Sequence, residues 1–86
     1  MKKIILIGLG SISKKHIFVL KKIKPNIKIL KLSSQKFDFF NFEEINKLKI
    51  FNPDMIILCS PASKHFSQLK KIEKTFTNKK VLIEKP

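Results

Sequence analysis

The chain has 86 residues, 19 basic residues that are all lysine, and a formal net charge of +13. This length allows one small domain at most, and no apolar run reaches the roughly 18 residues that a membrane-spanning helix needs. The charge would suit a nucleic-acid-binding protein, but recognition of bases and phosphates favours the planar fork of arginine. We therefore interpret the lysines mainly as solvated surface that attracts anions.

The first predicted strand, residues 4–7, is followed by Gly8, Gly10 and a helix from about Ser11 to Lys22. Four consecutive apolar residues suit a parallel strand that is covered on both faces. The glycines let the chain turn sharply, and the first N–H groups of the helix attract a pyrophosphate. This pattern is the dinucleotide-binding turn G-x-G-x-x-G, except that Ser13 stands at the third glycine, where a small side chain is required.

One face of this helix is apolar, and the spacing predicts that it packs on the sheet. His16 lies on that face. We expect it to pack partly buried against the sheet, with contact to a cofactor as the alternative. The residues on this face are Ile12, His16, Val19, Leu20 and Ile23.

The second predicted strand, residues 27–32, ends at Ser33, Ser34 and Lys36. In a dinucleotide fold this end meets the adenosine ribose, where an acid binds the 2′-hydroxyl of NAD. The first acid after the strand is Asp38. Two hydroxyls and a lysine therefore favour the 2′-phosphate of NADP, unless the segment is a polar turn with no cofactor role.

Helices and strands alternate through the rest of the chain. Aromatic density predicts a short edge strand near residues 38–41, and a helix with acids in its first turn follows at 43–49. An apolar strand at 55–59 ends in the single cysteine, Cys59, which cannot form an internal disulfide and is typical of a cytoplasmic protein. A helix from Ala62 to about Phe76 and a last strand at 81–83 complete an α/β fold with a parallel sheet and right-handed crossovers.

In that helix an inward face is predicted at His65, Phe66, Leu69, Ile72 and Phe76. The outward face is predicted to hold Lys64, Lys70, Lys71 and Lys74.

Three segments follow predicted parallel strands at their carboxyl ends, where ligands bind in open α/β sheets. The turn GLGSISKKH at residues 8–16 is similar to the G-x-G-x-I-G-x-x-H of the Gfo/Idh/MocA (glucose–fructose oxidoreductase, inositol dehydrogenase and rhizopine-catabolism) oxidoreductases. CSPASKH at 59–65 is similar to their T-P-N-x-x-H loop, and VLIEKP at 81–86 to their strand ending in E-K-P. The chain therefore resembles the N-terminal nucleotide-binding domain of that family over its whole length.

The resemblance implies a Rossmann-like, doubly wound but incomplete sheet of about five strands in the order 3-2-1-4-5. Glu84 would contact the nicotinamide ribose, and Lys85 would bind a substrate hydroxyl or assist its proton transfer. Ser60 and Pro61 would line the adenosine and ribose side, with His65 nearby. The pyrophosphate would be bound by Gly8, Gly10, Ser11, Ile12 and Ser13.

The same resemblance implies NAD or NADP as cofactor, and a sugar, polyol or sugar derivative as substrate of a hydride transfer. It also implies a second, substrate-binding domain that is absent from residues 1–86, so we expect marginal stability, self-association or pairing with a missing C-terminal half, and no turnover by this chain alone. One alternative is a non-catalytic remnant that at most binds nucleotide. A basic nucleic-acid-binding protein is less favoured because the phenylalanines fall mainly at apolar-face positions. No metal and no membrane contact are expected.

Overall fold

The computed structural model describes residues 2–77 and 79–84. Strands and helices alternate, and all but one of the predicted elements lie within two residues of their expected bounds. In chain order they are β1 (Lys3–Ile7), α1 (Ser11–Ile23), β2 (Lys28–Leu32), α2 (Ser34–Asp38), α3 (Phe42–Phe51), β3 (Met55–Leu58), α4 (Ala62–Thr75) and β4 (Lys80–Ile83).

The described strands form one parallel sheet in the order β2-β1-β3-β4. The α/β doubly wound fold class is confirmed. The strand order equals the predicted 3-2-1-4-5 once its outermost strand is removed. Ile5 lies between Leu30 and Ile56, so the three hydrophobic strands share one central layer.

The predicted edge strand near residues 38–41 is wrong. Its start belongs to the short helix α2, whose N-cap Ser33 accepts a hydrogen bond from the backbone N–H of Lys36 at 3.1 Å. Phe37 is buried and Phe39 is exposed, but Phe40 packs beside Phe37, so the aromatic residues follow a helical turn rather than a two-residue period. The serine cap outweighed the strand propensity of the aromatic residues.

Helices cover the two faces of the sheet unequally. On one face α2, α3 and α4 insert Phe37, Leu48 and Ile72 against strand residues such as Ile5 and Ile56. On the other face the packed helix is α1, which contributes Ile12, Ile17 and Leu20 over a layer of Ile4, Leu6, Ile27, Ile57 and Cys59.

Several helix faces differ from the predicted ones. Val19, Ile23 and Phe66 are exposed although they were expected to face inward. Lys71 was expected to face outward but is half-buried against Phe37. Of the eight phenylalanines, four are exposed, so the expectation that most of them fill apolar faces holds for only half; the exposed ones are Phe18, Phe39, Phe42 and Phe66.

Candidate functional site at the carboxyl edge of the sheet

Gly8 directly follows β1 and lies against the backbone of Cys59 and Ser60, which directly follow β3. Its φ is +100°, a conformation that favours glycine, and a Cβ there would lie 2.7 Å from the Cys59 carbonyl carbon and 2.9 Å from the Ser60 nitrogen. Its own N–H donates to the Leu32 carbonyl at 2.8 Å. The fold itself therefore requires glycine at this position.

Gly10 is different, because a Cβ there would meet none of the described atoms within 4 Å. It is the N-cap of α1, where no described side chain caps the helix and no acid lies in the first turn. Ser13 is 1% exposed, and its hydroxyl donates to the Gly10 carbonyl at 2.6 Å. A serine therefore fits the crowded third-glycine position, while the positive N-terminus of α1 is left open for an anion.

The loop after β3 lies beside this turn. Ser60 is fully buried, and its Oγ has no hydrogen-bond partner among the residues described. His65 Nε2 lies 2.6 Å from the Ser60 carbonyl oxygen. Because a carbonyl only accepts, Nε2 carries the proton, and His65 holds the Ser60–Pro61 loop from the first turn of α4.

The end of β4 approaches α1. Glu84 donates its N–H to the Leu58 carbonyl at 2.9 Å, and its Oε1 lies 3.7 Å from His16 Nε2, with both side chains partly buried. Burial, and secondarily the Glu84 carboxylate, raises the pKa of the Cys59 thiol, which keeps it protonated and unreactive. Lys85, the predicted catalytic residue, lies with Pro86 outside the described residues.

The end of β2 opens into a pocket. Its lining is Leu32, Ser33, Gln35, Lys36, Phe39, Phe40 and Glu44. Ser33 Oγ is engaged as the cap of α2, and Ser34 Oγ accepts a hydrogen bond from Gln68 Nε2 at 2.9 Å. Asp38 pairs with Lys64 Nζ at 2.9 Å and is not among the lining residues.

Sequence reasoning missed two polar residues near this pocket. Glu44 is the acid that lines the pocket. The sequence spacing Asn41-x-x-Glu44 could have indicated its position, because this spacing is typical of a capping box, and the two residues form one at the start of α3. Gln68 is buried on α4, and nothing in its position within a helical pattern distinguishes it from a surface glutamine.

The structure thus brings the glycine turn against the ends of β2 and β3, and His16 against Glu84. Within residues 2–77 and 79–84, no group of three or more His, Cys, Asp and Glu side chains is arranged to hold a metal ion. No helix in that part of the chain is long and apolar enough to cross a membrane.

Over residues 2–86 the chain matches the model of GFO_IDH_MocA, described as an oxidoreductase family with an NAD-binding Rossmann fold. Comparisons with curated proteins and with solved structures found no match.

Proposed function

Because the chain belongs to the GFO_IDH_MocA oxidoreductase family, with its NAD-binding Rossmann fold, we propose that it binds NAD or NADP across the carboxyl edge of its sheet. The bound nucleotide would serve hydride transfer to or from a sugar, polyol or sugar derivative, the substrate class that the sequence resemblance implies.

The N-terminus of α1 carries this proposal. It combines a glycine that the fold requires, Gly8, with one that the surrounding protein does not, Gly10. The backbone at Gly10 has open space in front of it, and no described side chain caps the helix there. This arrangement fits a pyrophosphate that approaches the amides of residues 11–13. Ser60, whose buried hydroxyl has no hydrogen-bond partner among the described residues, would lie on the adenosine side of this site.

The other end of the site supports the nicotinamide half. Glu84 is fixed to β3 through its backbone and lies beside His16, so its carboxylate can accept hydrogen bonds from ribose hydroxyls. The nicotinamide ring, when bound, supplies the hydride chemistry. We assign Lys85 to the substrate hydroxyl and its proton. A chain that binds nucleotide without chemistry is the second reading of the same geometry.

Two charged residues of the pocket at the end of β2 bear on whether the cofactor is NAD or NADP. Lys36 favours a 2′-phosphate by charge, whereas the Glu44 carboxylate disfavours one and accepts from a 2′-hydroxyl. We propose NADP as the preferred cofactor because the hydroxyls of Ser33 and Ser34 and the charge of Lys36 favour a 2′-phosphate. The charge of Glu44 acts against this preference.

Fluorescence titration of NADH and NADPH with the purified chain tests the proposal. Enhancement that persists at about 0.15 M salt, where the Debye length is about 8 Å, supports a formed site. Binding that salt abolishes would reflect only the net charge of +13, and it would contradict the proposed function.

A further inference from the structure

A row of polar side chains on α4 holds the short helix α2. Lys64, Gln68 and Lys71 recur at intervals of four and three residues, so they share one face of α4. Lys64 Nζ pairs with Asp38 Oδ2 at 2.9 Å, and Lys71 Nζ donates to the Phe37 carbonyl and lies 4.7 Å from the Phe37 ring centroid. All three contacts reach the same five-residue helix.

Gln68 is the centre of this row and is 1% exposed. Its Nε2 donates to Ser34 Oγ and to Asp38 Oδ1, each at 2.9 Å, and lies 3.4 Å from the Ser34 carbonyl. It therefore holds the first and the last residue of α2 with one amide group.

The orientation of the Gln68 amide is determined by these neighbours. Of the atoms that face Nε2, the Ser34 carbonyl oxygen and Asp38 Oδ1 can only accept, so turning the amide over would set Oε1 against these two acceptors. Its Oε1 has no partner among the described residues. A buried acceptor without a hydrogen bond is unfavourable. The hydrogen bonds that Nε2 donates to α2 offset this cost.

The position of α2 matters because α2 follows β2 directly and carries Lys36 of the pocket at that strand's end. The same helix α4 holds the Ser60–Pro61 loop through His65, three residues before Gln68. The helix α4 thus fixes both segments that border the adenosine side of the proposed site, namely α2 and the Ser60–Pro61 loop.

We propose that Gln68 is a positioning residue for the adenosine ribose: it fixes Ser34 and the start of α2 relative to the Ser60–Pro61 loop. This inference rests on the proposed nucleotide site. Since Ser34 Oγ accepts from Gln68, the Ser34 O–H is left to donate, and it suits an acceptor such as a ribose or 2′-phosphate oxygen.

The test compares Gln68→Met, which keeps an unbranched side chain of similar size, with Ser67→Ala at the adjacent, exposed position on α4. Affinities of both variants for NADPH and NADH are measured by fluorescence, and hydrogen exchange of the α2 amides by mass spectrometry. We expect Q68M to weaken NADPH by about three- to tenfold, the range of one hydrogen bond, and to speed exchange in α2 but not in β1 or β3. S67A is expected to match the unchanged chain.

Unchanged affinity and unchanged α2 exchange in folded Q68M would overturn this inference while leaving the proposed function intact. A uniform rise in exchange across the sheet would overturn it too, since it would show a general structural role. Absence of nucleotide binding by the unchanged chain would instead overturn the proposed function, and this inference with it.

Should Q68M fail to fold, Asp38→Ala replaces it, because Asp38 is an exposed acceptor for both Gln68 and Lys64. The same selective loosening of α2 and loss of NADPH affinity is expected. Without that loosening in folded D38A, the proposed link between α4 and the ribose loop is wrong.

Discussion

Glycine stands at positions 8 and 10 of the first turn for different physical reasons, and alanine variants can measure this difference. Gly8→Ala introduces a Cβ at 2.7 Å from the backbone of Cys59, just after β3, at a φ of +100°. We expect it to lower the free energy of unfolding by roughly 3 kcal/mol or more, which a small domain tolerates poorly. Urea unfolding followed by circular dichroism measures the change.

Gly10→Ala is the matched variant, because its Cβ enters open space at a φ of −83°. We expect a stability loss below about 1 kcal/mol, the usual cost of alanine at an N-cap, together with weaker NADH binding. If G10A bound NADH as well as the unchanged chain, the pyrophosphate would not approach this turn closely.

Lys36 and Glu44 set opposite charges at the β2 pocket, so their variants should shift cofactor preference in opposite directions. Lys36→Met is expected to weaken NADPH by about three- to tenfold more than NADH, and Glu44→Gln to strengthen NADPH. Glutamine keeps the capping box of α3 intact, so E44Q changes the charge and not the helix start. Fluorescence titrations of both nucleotides measure the ratio.

Lys47→Met is the charge control for Lys36, because Lys47 is exposed on α3 and does not line the pocket. An equal loss of NADPH affinity in K47M and K36M would show that net charge, and not the pocket, governs the preference. In that case the assignment of the 2′ end to this pocket would be wrong.

At the scale of elements, hydrophobic runs and caps predicted most of the fold. The buried strands are visible as unbroken apolar runs, and the helix starting at Ser11 follows directly from the glycine turn. The strand predicted near residues 38–41 was wrong because aromatic residues suit both a strand and a helix that buries one ring. The deciding contacts, from Gln68 and Lys71 to α2, join residues that are 30 and 34 positions apart and leave no local pattern.

Asp54 connects the start of β3 to the start of β1. Its Oδ2 accepts from the backbone N–H of Lys2 at 2.7 Å and of Lys3 at 2.9 Å, and its own N–H donates to the Lys3 carbonyl at 2.8 Å. The two backbone hydrogen bonds lower the pKa of Asp54 from its ordinary value of 3.8. The ionised carboxylate is therefore the form that the fold prefers.

This lowered pKa predicts part of the acid response. As the pH falls, Asp54 is protonated in the unfolded chain before it is protonated in the folded chain, because its folded pKa is lower. The stability that Asp54 contributes is therefore present above pH 3.8 and is lost as the pH falls from 3.8 through the folded pKa. Asp54→Asn should be less stable at neutral pH and lose less stability on acidification. Glu73→Gln, which removes an exposed acid from α4, should lose stability as the unchanged chain does. Parallel acid curves for D54N and E73Q would contradict this role.

At the scale of the molecule, the candidate site was predictable because every parallel strand delivers its following loop to the same edge. That rule placed Gly8, Ser60 and Glu84 together before any contact was known. It does not give the side-chain partners at that edge, and the pairing of His16 on α1 with Glu84 after β4 is known only from the structure.

The two edges of the described sheet differ in charge. The β2 edge exposes Lys28 and Lys31, and lysine on an edge strand discourages pairing with another chain. On β4, Lys80 is followed by a run without charge, Val81 to Ile83, in which Leu82 is 38% and Ile83 43% exposed. Association between copies should therefore begin at β4.

Leu82→Lys should suppress that association, because it places a charge in the middle of the apolar edge, while its neighbour in register, Ile57, stays buried beneath α1. Sedimentation velocity over a range of protein concentrations measures the effect. Ile50→Lys is the control, since Ile50 is an exposed aliphatic residue on α3, away from the sheet edge. Equal suppression by both variants would mean that added charge alone prevents association. If the unchanged chain is monomeric at every concentration, β4 does not pair with another copy.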